Sequence, residues 1–180
     1  MQGMKRLLLM ISLLSVVCGC SKNESDVVYR VGDVYYGKNK TGLIFWVTDD
    51  GRHGKIVSLN YTLKVWIQDS ESIFNKEFEE TGATDSDDGM YNMKKIMLID
   101  GWREKCPAFA WCADKGKDWY MPAINELVLL TESQLLPDIG PYWSSTEDEN
   151  DSDSALSYWN GKISNKFKNE GGYIRAIAKF

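Results

Sequence analysis

The period of the apolar pattern changes twice along this chain, and that change bounds the fold more tightly than anything else in the sequence. From residue 27 to 68 the apolar residues fall in short β-rich runs, at 28–31, 34–36, 43–47, 55–59 and 63–67. Asp49-Asp50-Gly51 between two of them predicts a hairpin turn. Residues 70–88 are polar and acidic and read as a loop. A helical period then begins near Asn92, a candidate cap, with Met93, Ile96, Met97 and Ile99 apolar. Pro107 suits the first position of a second helix, which runs to about Lys115 and stops at Gly116. A third starts at Pro122, with Ile124, Leu127, Val128 and Leu130 on its apolar side. After Pro141 the strand pattern returns and lasts to the end. Strands, then helices, then strands predict an α+β domain with antiparallel sheets and two or three helices.

Composition narrows the function classes. At 180 residues and 43% hydrophobic, the chain can bury one core. Lys and Arg number 21 against 26 Asp and Glu, with no basic stripe, which argues against nucleic acid as a partner. His53 is the single histidine, which excludes metal sites built from two or three imidazoles.

The first residues read as a targeting segment. Lys5 and Arg6 precede an apolar stretch at 7–17, too short for a resting transmembrane helix. Val17-Cys18-Gly19-Cys20 follows, which resembles a bacterial lipoprotein signal with Cys20 as the acylated residue, since small Gly19 sits before it. The expected organisation is a signal peptide at 1–19, a lipidated Cys20 and tether at 20–28, and one domain at 29–180. Several acyl chains would anchor the protein stably without a span. Loss of the leader removes Lys5 and Arg6 and no acid, taking the formal charge from −5 to −7. Cys106 and Cys112 then remain. Six residues along a helix separate them by about 9 Å, beyond disulfide reach. Two separate, mostly buried thiols are expected.

The last hairpin carries the most local information. Asn160-Gly161 is a strong two-residue turn signal, and it would pair Trp159 with Lys162, Tyr158 with Ile163, Ser157 with Ser164 and Leu156 with Asn165. One face then holds Leu156, Tyr158, Ile163 and Phe167 and is expected in the core. The other holds Ala155, Ser157, Trp159, Lys162, Ser164 and Lys166. Trp159 is an aromatic on a polar face. It is either a stacking platform for a ligand or a residue packed under a neighbouring loop.

Five ordered motifs carry a resemblance: Asp88-Gly89-x-x-Asn92, Pro107-Ala108-Phe109-x-x-Cys112, Asp118-Trp119-Tyr120-Met121-Pro122-Ala123-x-x-Glu126-Leu127, Tyr142-Trp143-Ser144-Ser145-Thr146-Glu147 and Tyr173-Ile174-Arg175-Ala176-Ile177. Together they resemble the Fibrobacter succinogenes major paralogous domain, grouped with the C-terminal domain of Legionella collagen-like adhesins. Residues 51–57 are also similar to versions in Bacteroidetes lipoproteins. The resemblance implies a fold like that of C-type lectins and the formylglycine-generating enzyme, and extracytoplasmic ligand binding or adhesion without catalysis. Cys106 departs from the pattern, which has an aromatic before Pro-Ala-Phe.

The residues themselves argue the same way on chemistry. No Cys follows Cys112, so the paired-cysteine copper site of formylglycine-generating relatives is missing. Ser144 and Ser145 lack a Gly-x-Ser-x-Gly elbow. No nucleophile, base and orienter can be assembled, so no enzyme is expected. No cofactor is expected, with calcium the one candidate: Glu147, Asp148, Asp151 and Asp153 form an acidic cluster, although such runs are usually solvated loops. Glu126 and Arg175 each lie among apolar residues and are expected to neutralise one another. Trp46, Trp66, Trp111, Trp119 and Trp143 read as core. The sequence therefore predicts a lipid-anchored module at the outer membrane or cell surface. It would bind a glycan or protein ligand through Trp159, Ser157, Lys162, Ser164 and Lys166. The alternative is a structural or tip subunit of a surface assembly such as a pilus.

Overall fold

A computed structural model describes residues 27–68, 78 and 80–180. The expected leader, Cys20 and most of the tether lie outside them. Nine strands and four helices are present among the described residues. In chain order they are β1 (Val34–Tyr36), β2 (Thr41–Val47), β3 (Gly54–Val57), β4 (Thr62–Val65), α1 (Gly89–Ile96), α2 (Trp102–Lys105), α3 (Pro107–Ala113), α4 (Ile124–Glu132), β5 (Tyr142–Asp148), β6 (Asp151–Trp159), β7 (Lys162–Phe167), β8 (Gly171–Ile174) and β9 (Ile177–Lys179). The class is α+β, with α2 beyond the three expected helices.

The strands form two sheets, ordered β1-β2-β3-β9 and β4-β8-β5-β6-β7. All pairings are antiparallel except β5 with β8, where the C-terminal chain returns alongside Tyr142. The β3–β4 segment and the β8–β9 segment each pass from one sheet into the other. Ser58 fastens this double crossing. Its N–H donates to Ala176 O at 2.8 Å, and its Oγ accepts from Ala176 N at 3.2 Å.

The core lies between the sheets and the helices, from Ile44 and Ile56 through Met93, Phe109 and Leu127 to Trp143. Trp66 anchors its centre, edge-on to Phe109 at 4.8 Å with its Nε1 donating to Ser144 O at 2.9 Å. A bulge on β2 puts both Ile44 and Phe45 inside and turns Trp46 outward, 37% exposed. That overturns the expectation that Trp46 is core. Trp111 is only half buried.

Helix α1 begins three residues before the expected cap. Asp88 is the N-cap, accepting from Met90 N and Tyr91 N at 3.0 and 3.1 Å. Asn92 lies inside the helix with its amide buried. It donates to Asp85 O and Ser145 Oγ and accepts from Asp85 N, tying the preceding loop to β5. Cys106 and Cys112 flank and occupy α3 as free, buried thiols.

Glu126 does not pair with Arg175. Its Oε1 accepts from Lys55 Nζ at 2.8 Å and from the Tyr120 hydroxyl at 2.9 Å, and its Oε2 accepts from Gly89 N and Ala123 N, both at 3.1 Å. All acceptor sites are committed at the start of α4, where a carboxylate also faces the positive end of the helix. The reach to Gly89 depends on its lack of a side chain, since a Cβ there would lie 2.4 Å from Met121 O. Lys55 reaches it from β3 of the four-stranded sheet, whereas Arg175 lies where β8 passes into β9.

Candidate functional site

The Asn160-Gly161 turn forms as the sequence predicts. Both residues have positive φ, 53° and 77°, the combination a two-residue hairpin requires. The pairs Trp159–Lys162, Tyr158–Ile163, Ser157–Ser164 and Leu156–Asn165 all stand in the observed register.

The two faces, however, are not core and solvent. Phe167 is 55% exposed and Ile163 is also exposed, whereas Ala155 and Ser157 on the opposite face are buried. Strand β7 is the edge of the five-stranded sheet, and α4 packs chiefly on its neighbours β5 and β6. Register is a local property; which face is covered depends on the layer above, and that layer ends at β6.

The predicted ligand residues do line one groove, of about 470 Å³, between Pro141 and the hairpin. Trp159, Lys162 and Ser164 are exposed along it, while Ser157 and Lys166 sit lower. Ser157 Oγ donates to Ser164 O at 3.1 Å, which fixes the floor. Lys166 forms an ion pair with Glu170 and stands over the Trp143 ring at 5.6 Å. Lys162 has no ion-pair partner among the described residues. Beneath Lys166, the Trp143 Nε1 donor is buried without an acceptor among the described residues.

Trp159 is 46% exposed, and its Nε1 donates to Asp138 Oδ1 at 2.9 Å. That bond holds the ring upright. The same residue also lines a second hollow of about 270 Å³ with Leu136, Pro137, Asp138 and Tyr158. The ring therefore borders two hollows, and it combines the two readings left open by the sequence: one part meets a loop, the rest meets solvent. Asp138 was missed at the sequence level, although Pro137-Asp138-Ile139-Gly140-Pro141 is plainly a turn-rich stretch.

The groove can stack on an apolar or sugar face, donate from two ammonium groups and exchange hydrogen bonds through hydroxyls. Ser144 and Ser145, the hydroxyls of the Trp-Ser-Ser motif, are fully buried and structural: Ser144 Oγ donates to Leu156 O, and Ser145 Oγ accepts from Asn92. His53 is exposed in the β2–β3 turn.

The calcium candidates do not converge. Glu147 points inward to Lys168, Thr81 and Gly82. Asp148 accepts from Asn150 N and Asn165, Asp151 from Asp153 N and Ser154, and Asp153 from Phe78 N. Tight β5–β6 pairing, with Asp148 opposite Asp151, distributes these acids over different partners. Among the described residues no three potential metal ligands cluster.

Comparison with known proteins places the fold. The chain is similar to the crystal structure of a fimbrial protein from Bacteroides ovatus, with a TM-score of 0.57 and 16% sequence identity. The likeness covers 84% of this chain and 49% of that one, so this chain spans about half of the fimbrial protein. No protein-family description and no curated protein matches the chain. Among the described residues no helix is long and apolar enough to cross a membrane.

Proposed function

We propose that this chain is a non-catalytic, fimbrial-type subunit of an extracytoplasmic surface assembly, held to the membrane through acylated Cys20. The observation that carries this reading is the shared fold with the Bacteroides ovatus fimbrial protein over 84% of the chain. The lipoprotein-like segment ending at Cys20 and the five motifs resembling adhesin-type domains support it from the sequence. Cross-linking on intact cells tests the proposal. A subunit of an assembly enters a ladder of high-mass species that co-purifies with other surface proteins, and Cys20→Ala removes it from the membrane fraction. A protein that stays monomeric on cells, with no cross-linked partner, overturns the assembly reading.

A ligand-recognition role at the exposed end of such an assembly is the second reading, and Trp159 favours it. An indole half open to solvent, held upright by Asp138 and flanked by Lys162 and Ser164, has the make-up of a contact for a glycan or a protein surface. Saturable binding on a glycan array, lost in Trp159→Ala, supports this role. Absence of glycan binding with intact assembly leaves the structural subunit alone.

A further inference from the structure

We infer that the Trp159 groove takes an acidic sugar, a glycan residue bearing a carboxylate or sulfate group, with the sugar face on the indole and the anion at Lys162. This names the ligand class of the recognition role proposed above and rests on that reading.

The hairpin register gathers four of the groove's side chains. Trp159 stands directly opposite Lys162, and Ser157 opposite Ser164. Opposed side chains share a face of the sheet, with Cβ atoms about 5 Å apart. A ring stacked on the indole therefore lies within reach of the Lys162 ammonium. All four residues line the same hollow of about 470 Å³. That volume falls within the ~300–1,000 Å³ of small-molecule sites.

The lining sets what can enter. Trp159 and Pro141 are its apolar side chains, and the rest is hydroxyl, amide and ammonium. A protein partner is held by a cluster of well-packed anchors. One flat aromatic ringed by polar groups instead matches a sugar, which has an apolar face and a polar rim. Among the described residues no acid lines the groove. Lys166 is neutralised by Glu170. Lys162 is exposed and has no ion-pair partner among the described residues, so its charge is open to a ligand.

The second hollow bordered by the same ring carries the opposite charge. It is lined by Glu132 and Asp138 beside Tyr158. Asp138 Oδ1 accepts the indole N–H at 2.9 Å. The indole donor is thereby committed within the protein, and the ring offers a ligand its π surface. An anionic group meets two carboxylates in that hollow and an open ammonium in the groove. Repulsion from one and attraction to the other together make the ring select by charge.

The test follows the Trp159 Nε1–Hε1 resonance of the full chain by ¹H–¹⁵N spectroscopy at constant ionic strength. Two matched pairs of sugars are titrated: an oligogalacturonate with its methyl ester, and a sulfated carrageenan tetrasaccharide with its desulfated form. The expected result is a saturable shift with a Kd of about 1 mM or tighter for at least one acidic sugar. Its neutral match should bind about tenfold more weakly through loss of a charge-assisted contact. Response to the galacturonate assigns a carboxylate, and response to the carrageenan a sulfate. Lys162→Gln should erase the preference and leave the neutral match unchanged. Lys94→Gln, the same charge change at an exposed position on α1, should bind as the parent chain does. Neutral sugars bound as tightly as their acidic matches overturn the acid selection and leave the recognition reading standing. A hexaglutamate peptide bound more tightly than either acidic sugar reassigns the groove to an acidic peptide and overturns the sugar. A resonance indifferent to all four sugars overturns the inference, while the recognition reading falls only if the glycan array is blank as well.

Discussion

Lys168 and Glu147 form an ion pair with both side chains out of water, 0% and 1% exposed. Lys168 Nζ also donates to Ser152 O and lies over the Trp66 ring at 5.0 Å. Glu147 accepts from the N–H groups of Thr81 and Gly82, both within 3.0 Å, and from the Thr81 hydroxyl. Every polar atom of the pair has a partner, so the mutual attraction can offset the desolvation of both charges. The Lys168 carbonyl meanwhile accepts from Trp66 N and Ile67 N. One residue thus joins the end of β4, the β5–β6 hairpin and the loop before α1.

Removing one member of this pair leaves a buried charge alone. Lys168→Met and Glu147→Gln should each destabilise by about 3–5 kcal/mol. Combining the two should recover part of that loss, a coupling that urea melts of the three variants measure. A single variant as stable as the parent chain rejects the assignment.

Glu126 should couple to Lys55 and not to Arg175. In double-mutant cycles the Glu126–Lys55 term should be on the order of 1 kcal/mol or more, and the Glu126–Arg175 term within about 0.5 kcal/mol of zero. Thermal melts of alanine variants at the three positions supply both cycles.

On the proposed recognition role, variants of the hairpin should separate stability from recognition. Trp159→Ala should lower stability by about 1 kcal/mol, the scale of its single hydrogen bond to Asp138, while removing binding or assembly through the groove. Phe167→Ala, at an exposed edge position, should cost less than about 1 kcal/mol. Leu127→Ala, in the core, should cost about 2–5 kcal/mol. Gly161→Ala meets nothing within 4 Å, so its cost of about 1–2 kcal/mol comes from the left-handed backbone alone.

The thiols set a pH dependence on the alkaline side. Burial pushes Cys106 up to about 12 and Cys112 further in the same direction. The folded state holds these protons more tightly than the unfolded chain. The stability they contribute is therefore complete below the unfolded thiol pKa, near 8.5, and is lost as pH rises from there towards the folded value. Folding free energy should fall between pH 9 and 11, by up to about 1.4 kcal/mol per pH unit for each thiol. Cys112→Ala should flatten that slope. Native protein at pH 8 should resist thiol labelling, and the chain in urea should accept it at both positions.

The sequence alone determined those features that depend on neighbours along the chain. The α+β order follows from two changes of apolar period, and the last hairpin's register follows from Asn160-Gly161, because a two-residue turn admits only one pairing of its flanks. The separation of Cys106 from Cys112 followed from helical rise. The five residues gathered into one groove were legible because cross-strand neighbours share a face. What only the tertiary structure decided concerns contacts between distant segments. Lys55, on β3 of the four-stranded sheet, takes Glu126, and Arg175 has no ion-pair partner among the described residues. Lys168, which reads as one more polar residue after β7, is buried beside the Trp66 ring and against Glu147, which Thr81 and Gly82 hold in place. Phe167 is exposed because the covering layer ends one strand short. Burial and charge pairing depend on which elements stack in space, and a chain's local periodicity carries no information about where that stack stops.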